Sequence, residues 1–214
     1  MVADAMRWML DLNIGRRDIT EVMHEYDNDS SPMLAMINGG FIRGDRLYAP
    51  GCAITVRDVL KELPFPRNMS VLIILGKHLR GALAQQLRGS SMGPTGAFPH
   101  LSSNAFLRYE LGRRSRSDND TADDSCIIDD GDEFIRVRSF TVDGVEVSDE
   151  RKYIVAVTSF VAEGSEGCTS WSNGEHLQNP AWDGVNMSCV LLKYLQYRGV
   201  INPVLEDRVL LQKD

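Results

Sequence analysis

Three short stretches hold the side chains that could do chemistry: "NGGFIR" at 38–43, "LPFPRN" at 63–68 and "SFVAEGSEG" at 159–167. Each joins glycine or proline to an aromatic, basic or acidic residue, the composition of a loop that grips a ligand while a rigid scaffold aims it. Arg43 carries a planar fork of donors that suits a phosphate. Gly39 and Gly40 let the backbone turn tightly or come close to a ligand. Phe65 and Phe160 offer faces on which a flat ring can stack. Taken singly, an arginine is as well explained by a solvated surface charge and a phenylalanine by core packing. Any functional weight falls on the set.

No familiar catalytic constellation accompanies these loops. The chain has no phosphate loop and no H-E-x-x-H helix. His24, His78, His100 and His176 are scattered, and none has a metal-ligand spacing to an acid or thiol. His100, in "AFPHLSS", has no partner acid or nucleophile that the sequence can name. The cysteines at 52, 126, 168 and 189 form no C-x-x-C pair. The acidic run from Asp118 to Asp132 lacks the regular spacing of a calcium loop and reads as a solvated segment. A net charge of −7 argues against a general nucleic-acid binder. No apolar stretch approaches the roughly 20 residues of a membrane span. The compartment stays open: Asn28, Asn68, Asn119 and Asn186 each begin an N-x-[ST] sequon, but no signal region precedes the first helix.

The elements that must position the loops are legible as apolar runs. "MVADAMRWMLDL" has helical spacing and no N-cap before Val2, so the chain reads as entering a helix partway, with a truncated N-terminus. "HEYDNDSSP" is a polar connector, and "MLAMI" a buried strand ending at Gly39. Thr55 and Asp58 resemble a capping box for a short helix, "VRDVLKEL", which Pro64 ends. Phe65 is thereby left between two prolines.

"MSVLIIL" predicts a strand, and "GKHLRGALAQQLRG" a helix with Leu79, Ala82, Leu83, Gln86 and Leu87 along one side. "GSSMGPTG" is loop and "NAFLRYEL" a strand. Residues 113–132 read as a flexible insertion. Asp143-Gly144 within "FIRVRSFTVDGVEV" marks a hairpin. "KYIVAVTSF" is a strand, "VNMSCVLLKYLQYRG" a helix stopped by Gly199, and "DRVLLQ" a last strand. Strands and helices mix without a regular βαβ rhythm, so the expected fold is one α+β domain over 1–214, a mixed sheet flanked by helices.

Six ordered blocks, "VADAMR", "INGGFIRGDRLYAPGCAITVRDVLKELPF", "LGKHLRGAL", "GAFPHLSS", "DGVEVSDERKYIVAVTSFVAEGSEG" and the closing helix and strand, resemble the C-terminal domain of the 5′-nucleotidase family. That family's pattern runs roughly N-G-G-x-I-R, I-T, a helix, L-P-F and, much later, F-L-A-x-G-G-D-G. The resemblance implies a substrate-recognition domain in which Phe65 and Phe160 sandwich a nucleobase. Arg43 would meet the phosphate, and Asn38, Gly39 and Gly40 would line the same pocket. Gly164 and Glu166 stand in the G-G-D-G block, where the family's aspartate holds ribose hydroxyls; glutamate keeps the carboxylate and reaches one methylene further. After Phe65, where the family usually has glycine and often asparagine, Pro66 and Arg67 intervene, and Arg67 either adds phosphate affinity or points to solvent.

The resemblance also implies partners. The substrate would be a nucleotide or nucleoside, and hydrolysis would fall to a separate metallophosphatase domain whose two divalent metal ions activate water. No cofactor is expected in this chain, which alone would be inactive, and homodimerisation is left open. The alternative is a non-catalytic interaction module that keeps the fold and no longer binds nucleotide.

Overall fold

The most apolar runs of the sequence become the middle of one sheet, and their burial on both faces explains why they contain so few polar residues. A computed structural model describes residues 1–14, 31–88, 90, 93–113, 127–130 and 133–212; the side chains of Arg113, Glu133, Glu166 and the strand 127–130 lie outside that description. The chain opens with α1 (Val2–Ile14), β1 (Met33–Asn38), α2 (Val56–Glu62), β2 (Met69–Leu75) and α3 (Gly76–Gln86). Next come β3 (Pro99–Leu101), β4 (Ala105–Arg113), β5 (Ile127–Asp130), β6 (Glu133–Val142) and β7 (Val145–Glu146). It closes with β8 (Lys152–Thr158), the short α4 (Ser159–Ala162), β9 (Glu175–His176), α5 (Met187–Arg198) and β10 (Val209–Leu211).

The first sheet has the order β3-β1-β8-β2-β9. β1 runs parallel to β8, while β2 is antiparallel to β8 and β3 is antiparallel to β1. Successive side chains point to opposite faces. Leu34, Met36, Leu72, Ile74, Tyr153, Val155 and Val157 pack towards α3 and a second sheet. Ala35, Ile37, Met69, Val71, Ile73, Ile154 and Ala156 pack in a separate core with α1 and α5. A strand buried on both faces reads as a continuous apolar run.

The second sheet has the order β10-β4-β6-β5, with β7 folded back on β6. Between β4 and β6 the register shifts, since Arg108 faces Ser139 and Tyr109 faces Val137. Arg138 is the bulged residue, and the buried set on β6 changes from Ile135 and Val137 to Phe140 and Val142 across it. The β6–β7 turn is the one expected from Asp143-Gly144: both residues have positive φ, 53° and 77°, the pair that a tight hairpin demands.

Most of the predicted elements are found. Within the stretch read as an insertion, 113–132, Arg113 ends β4 and Ile127–Asp130 forms β5, which pairs with β6, Ile128 opposite Ile135. β6 offers a row of backbone partners that the β-branched start of "IIDD" can use, and the acidity of the stretch hid this. Residues 114–126 and 131–132 lie outside the described residues, as does the polar connector up to Ser30. β3 and β9 were not anticipated, being too short to show a period. Among the described residues no helix is long and apolar enough to cross a membrane.

Gln86 and the four apolar residues of the predicted α3 stripe are buried. Thr55 caps α2 as a full capping box: its hydroxyl oxygen accepts from the Asp58 N–H at 3.2 Å and donates to Asp58 Oδ2 at 2.6 Å, and its own N–H donates to Oδ2 at 2.9 Å. These bonds from Thr55, joined by the Arg46 charge, hold the Asp58 carboxyl below the ordinary aspartate range. A carboxylate with a depressed folded value stabilises above the unfolded value and stops doing so as pH falls through the folded one. Thr55→Ala is expected to lower stability by about 1 kcal/mol at neutral pH. In urea unfolding that deficit should narrow in acid, and a deficit unchanged between pH 7 and acid would contradict the assignment.

Candidate ligand-binding site

Strand direction brings the three loops together. β1 and β8 are parallel, so their C-terminal ends, Asn38 and Thr158, emerge on one side of the sheet. β2 is antiparallel, and its first residue, Met69, faces Thr158. The segment before β2, which carries Phe65 and Arg67, therefore arrives at that same side. β3 is antiparallel to β1 with Pro99 opposite Asn38, and this brings Gly96 there as well. Mixed topology thus collects residues 38–43, 65–67, 96 and 160 at one rim.

They enclose a cavity of about 180 Å³ lined by Asn38, Gly40, Phe41, Arg43, Phe65, Arg67, Gly96 and Phe160. Phe65 is 41% exposed. Phe160 is half-buried and rests against the core beneath it, held in the first turn of α4, where the Thr158 hydroxyl accepts from the Val161 N–H at 3.3 Å. Phe41 is buried behind Phe65, with ring centroids 5.8 Å apart. Each open ring is covered by a guanidinium: Arg43 lies 5.6 Å from the centroid of Phe65, and Arg67 lies 5.2 Å from that of Phe160.

The main chain fixes these positions. Arg43 Nε donates to the Gly40 carbonyl at 2.5 Å, and the Arg43 N–H to the Glu62 carbonyl at 2.9 Å. The Arg67 N–H donates to the Phe65 carbonyl at 2.8 Å, while the Arg67 carbonyl accepts from the Met187 N–H at 2.9 Å. Asn38 is buried; its Nδ2 donates weakly to the Gly96 carbonyl at 3.4 Å, and its Oδ1 has no hydrogen-bond partner. Arg46, the second arginine after the glycines, is used differently. It pairs with Asp58 at 2.7 Å and stacks over Tyr48.

The structure therefore gathers Asn38, Gly40, Arg43, Phe65 and Phe160 from the expected set. Gly39 stands in the wall behind them, its N–H donating to the Phe98 carbonyl at 2.8 Å. Gly164, with φ of 73°, closes the turn after α4 and is not among the lining residues. Glu166 lies in a short 3-10 turn, Ser165–Gly167, and its side chain is outside the described set. Sequence reasoning passed over Phe41 and Gly96. Phe41 looked like one more apolar residue, and Gly96 only like loop; the close approach that makes Gly96 useful is a tertiary fact.

A larger cavity of about 480 Å³ lies between Ile37, Pro99–Leu101 and residues 204–209. Two of its polar lining groups are paired. Tyr48 donates to Glu62 Oε1 at 2.8 Å, and burial together with that bond pushes the phenol up to about 12; Arg208 pairs with Asp4 at 2.9 Å. His100 lines this second cavity, meets Phe98 edge-on at 5.7 Å, and is held below the usual histidine value by burial. No nucleophile or acid is hydrogen-bonded to it among the described residues. The smaller cavity, with its unpaired polar groups, is the stronger candidate.

Residues 1–173 match the family described as 5′-nucleotidase, C-terminal domain. The chain belongs to this family. The trifunctional nucleotide phosphoesterase protein YfkN of Bacillus subtilis (strain 168) is 25% identical over 181 residues, spanning 82% of this chain and 11% of that protein. The 5′-nucleotidase precursor of Thermus thermophilus shares the fold with a TM-score of 0.71 at 23% identity, over 100% of this chain and 34% of its own. The NAD nucleotidase (NadN) of Haemophilus influenzae follows with a TM-score of 0.63 at 18% identity, over 92% of this chain and 32% of its own. The 5′-nucleotidase C-terminal fold therefore extends past Asn173 through β9, α5 and β10. The chain spans about a third of the length of these solved structures.

No group of three or more His, Cys, Asp or Glu side chains among the described residues could hold a metal. Among the described residues of the rim, the tightest approach to backbone is at Gly40. A Cβ there would meet the Gly96 carbonyl oxygen at 2.9 Å and the Gly96 Cα at 3.0 Å, whereas a Cβ at Gly96 meets nothing closer than the Gly40 Cα at 3.7 Å. Gly40→Ala is expected to cost about 1–3 kcal/mol in urea unfolding, and Gly96→Ala much less. Equal effects would show that the two backbones do not depend on this contact.

Proposed function

We infer that the cavity between Phe65 and Phe160 receives the base of a nucleotide, with Arg43 at its phosphate. On this reading the chain is the substrate-recognition part of a 5′-nucleotidase-type phosphoric ester hydrolase. The observation that supports it is the convergence on one cavity of two aromatic rings and two guanidiniums whose terminal nitrogens make no hydrogen bond among the described residues, from three separate loops. The cavity is smaller than the roughly 300 Å³ at which sites for drug-sized ligands begin. It suits a ring system whose sugar and phosphate continue outward.

The chemistry of each group is consistent with that division. Stacking is favourable for every base and contributes roughly 1–3 kcal/mol per base. The guanidinium fork suits a phosphate, and the Gly40 carbonyl that holds Arg43 Nε leaves its terminal nitrogens for the ligand. Binding and orientation are what this chain supplies. Hydrolysis is assigned to a metallophosphatase domain, and no step of it to these residues.

Calorimetric titration of the purified chain with AMP is expected to show binding between micromolar and low millimolar. Phe160→Ala should weaken it roughly 5-fold to 150-fold, the range that loss of one stacking contact implies. No heat with either AMP or IMP would overturn the reading in favour of an interaction module. The pure chain is also expected to release no phosphate from AMP, and metal-dependent release would show that catalysis resides here.

A further inference from the structure

Arg67 is held in place by its backbone and left free at its tip. Its N–H and carbonyl are both hydrogen-bonded within the main chain, to Phe65 and Met187. Its guanidinium makes no hydrogen bond or ion pair among the described residues, and its ring contact is with Phe160. A base that stacks on Phe160 takes the face the guanidinium now covers and leaves Arg67 at the rim of the base. There Arg67 presents donors only, in a planar fork.

A donor-only fork discriminates between bases by the edge they show. A 6-oxopurine offers two adjacent acceptors, O6 and N7, which an arginine meets with two parallel hydrogen bonds; adenine puts an amino donor where the carbonyl would be. A second observation points the same way. Asn38 Oδ1 is an acceptor on a side chain only 4% exposed, it lines the same cavity, and it has no partner. Leaving such an atom unsatisfied is costly, so a ligand N–H or O–H is its natural complement. The lactam edge of a 6-oxopurine carries a ring N–H beside its carbonyl, where adenine has a bare acceptor nitrogen.

We propose that Arg67 reads the base, and that this site prefers nucleotides of 6-oxopurines, hypoxanthine or guanine, over those of adenine. The proposal rests on the nucleotide-binding reading given above. It differs from a phosphate role for Arg67, which would strengthen binding of all nucleotides alike.

The test is titration of IMP and AMP, which differ in the 6-oxo and 6-amino groups, into the wild-type chain, Arg67→Ala and Arg67→Lys. IMP is expected to bind the wild type about tenfold more tightly or better. Arg67→Ala should bring the two within about twofold while AMP affinity changes little, and Arg67→Lys, which keeps the charge but not the fork, should also lose most of the preference. Equal affinities in the wild type, a preference that survives Arg67→Ala, or equal weakening of both ligands by that change would each overturn the proposal. If AMP and IMP both fail to bind the wild type, the nucleotide-binding reading falls with it; binding without discrimination sinks the base-reading role alone. Arg67 is exposed and both substitutions keep its main-chain bonds; should a variant not fold, the wild-type comparison of IMP with AMP still decides.

Discussion

The candidate site depends on the direction in which three strands cross one sheet. β1 and β8 leave the sheet where β2 enters it, because the first two are parallel and the third is antiparallel. If β2 ran the other way, the Phe65 segment would emerge at the opposite end of the strands, about 20 Å distant for a strand of this length. Burial of the sheet on both faces makes this arrangement rigid. Slipping any of the three strands by one residue would exchange the sets facing α3 and α1, and both cores would lose their fit.

On that frame the rim is closed by backbone contacts rather than by large side chains. Gly39 and Gly40 bond to the carbonyls of Phe98 and Gly96, and the space between Gly40 and Gly96 has no room for a Cβ on the first. Asn68 and Asn186 form a backbone bridge that ties the Phe65 segment to the start of α5. The loops are thus held at both ends by backbone bonds, while the terminal nitrogens of Arg43 and Arg67 make no hydrogen bond among the described residues. Such a division between a fixed frame and free tips is what a preorganised binding site requires.

The two arginine–phenylalanine contacts are the interactions a stacking ligand must displace. At exposed sites a cation–π pair is worth about 0.5–1 kcal/mol. On the proposed reading, base stacking at roughly 1–3 kcal/mol per base would outweigh one such pair, and the displaced guanidiniums would then have a ligand to bind. Arg46 illustrates the contrast. It sits three residues after Arg43 and is already bound to Asp58, so it has a structural part in fixing α2.

The sequence by itself determined the elements and the chemistry of the loops. Continuous apolar runs identified β1, β2 and β8, a capping box started α2, and Asp143-Gly144 set the hairpin, because each of these signals is local. The family resemblance, carried by ordered blocks, named Asn38, Gly40, Arg43, Phe65 and Phe160 together. The tertiary structure decided what local patterns cannot hold. Which strands pair, and in which direction, is a matter of long-range hydrogen bonding; so are the recruitment of Ile127–Asp130 into the second sheet and the approach of Gly96 to Gly40. Arg43 and Arg67 look alike along the chain, and only their placement over opposite rings gives them different partners.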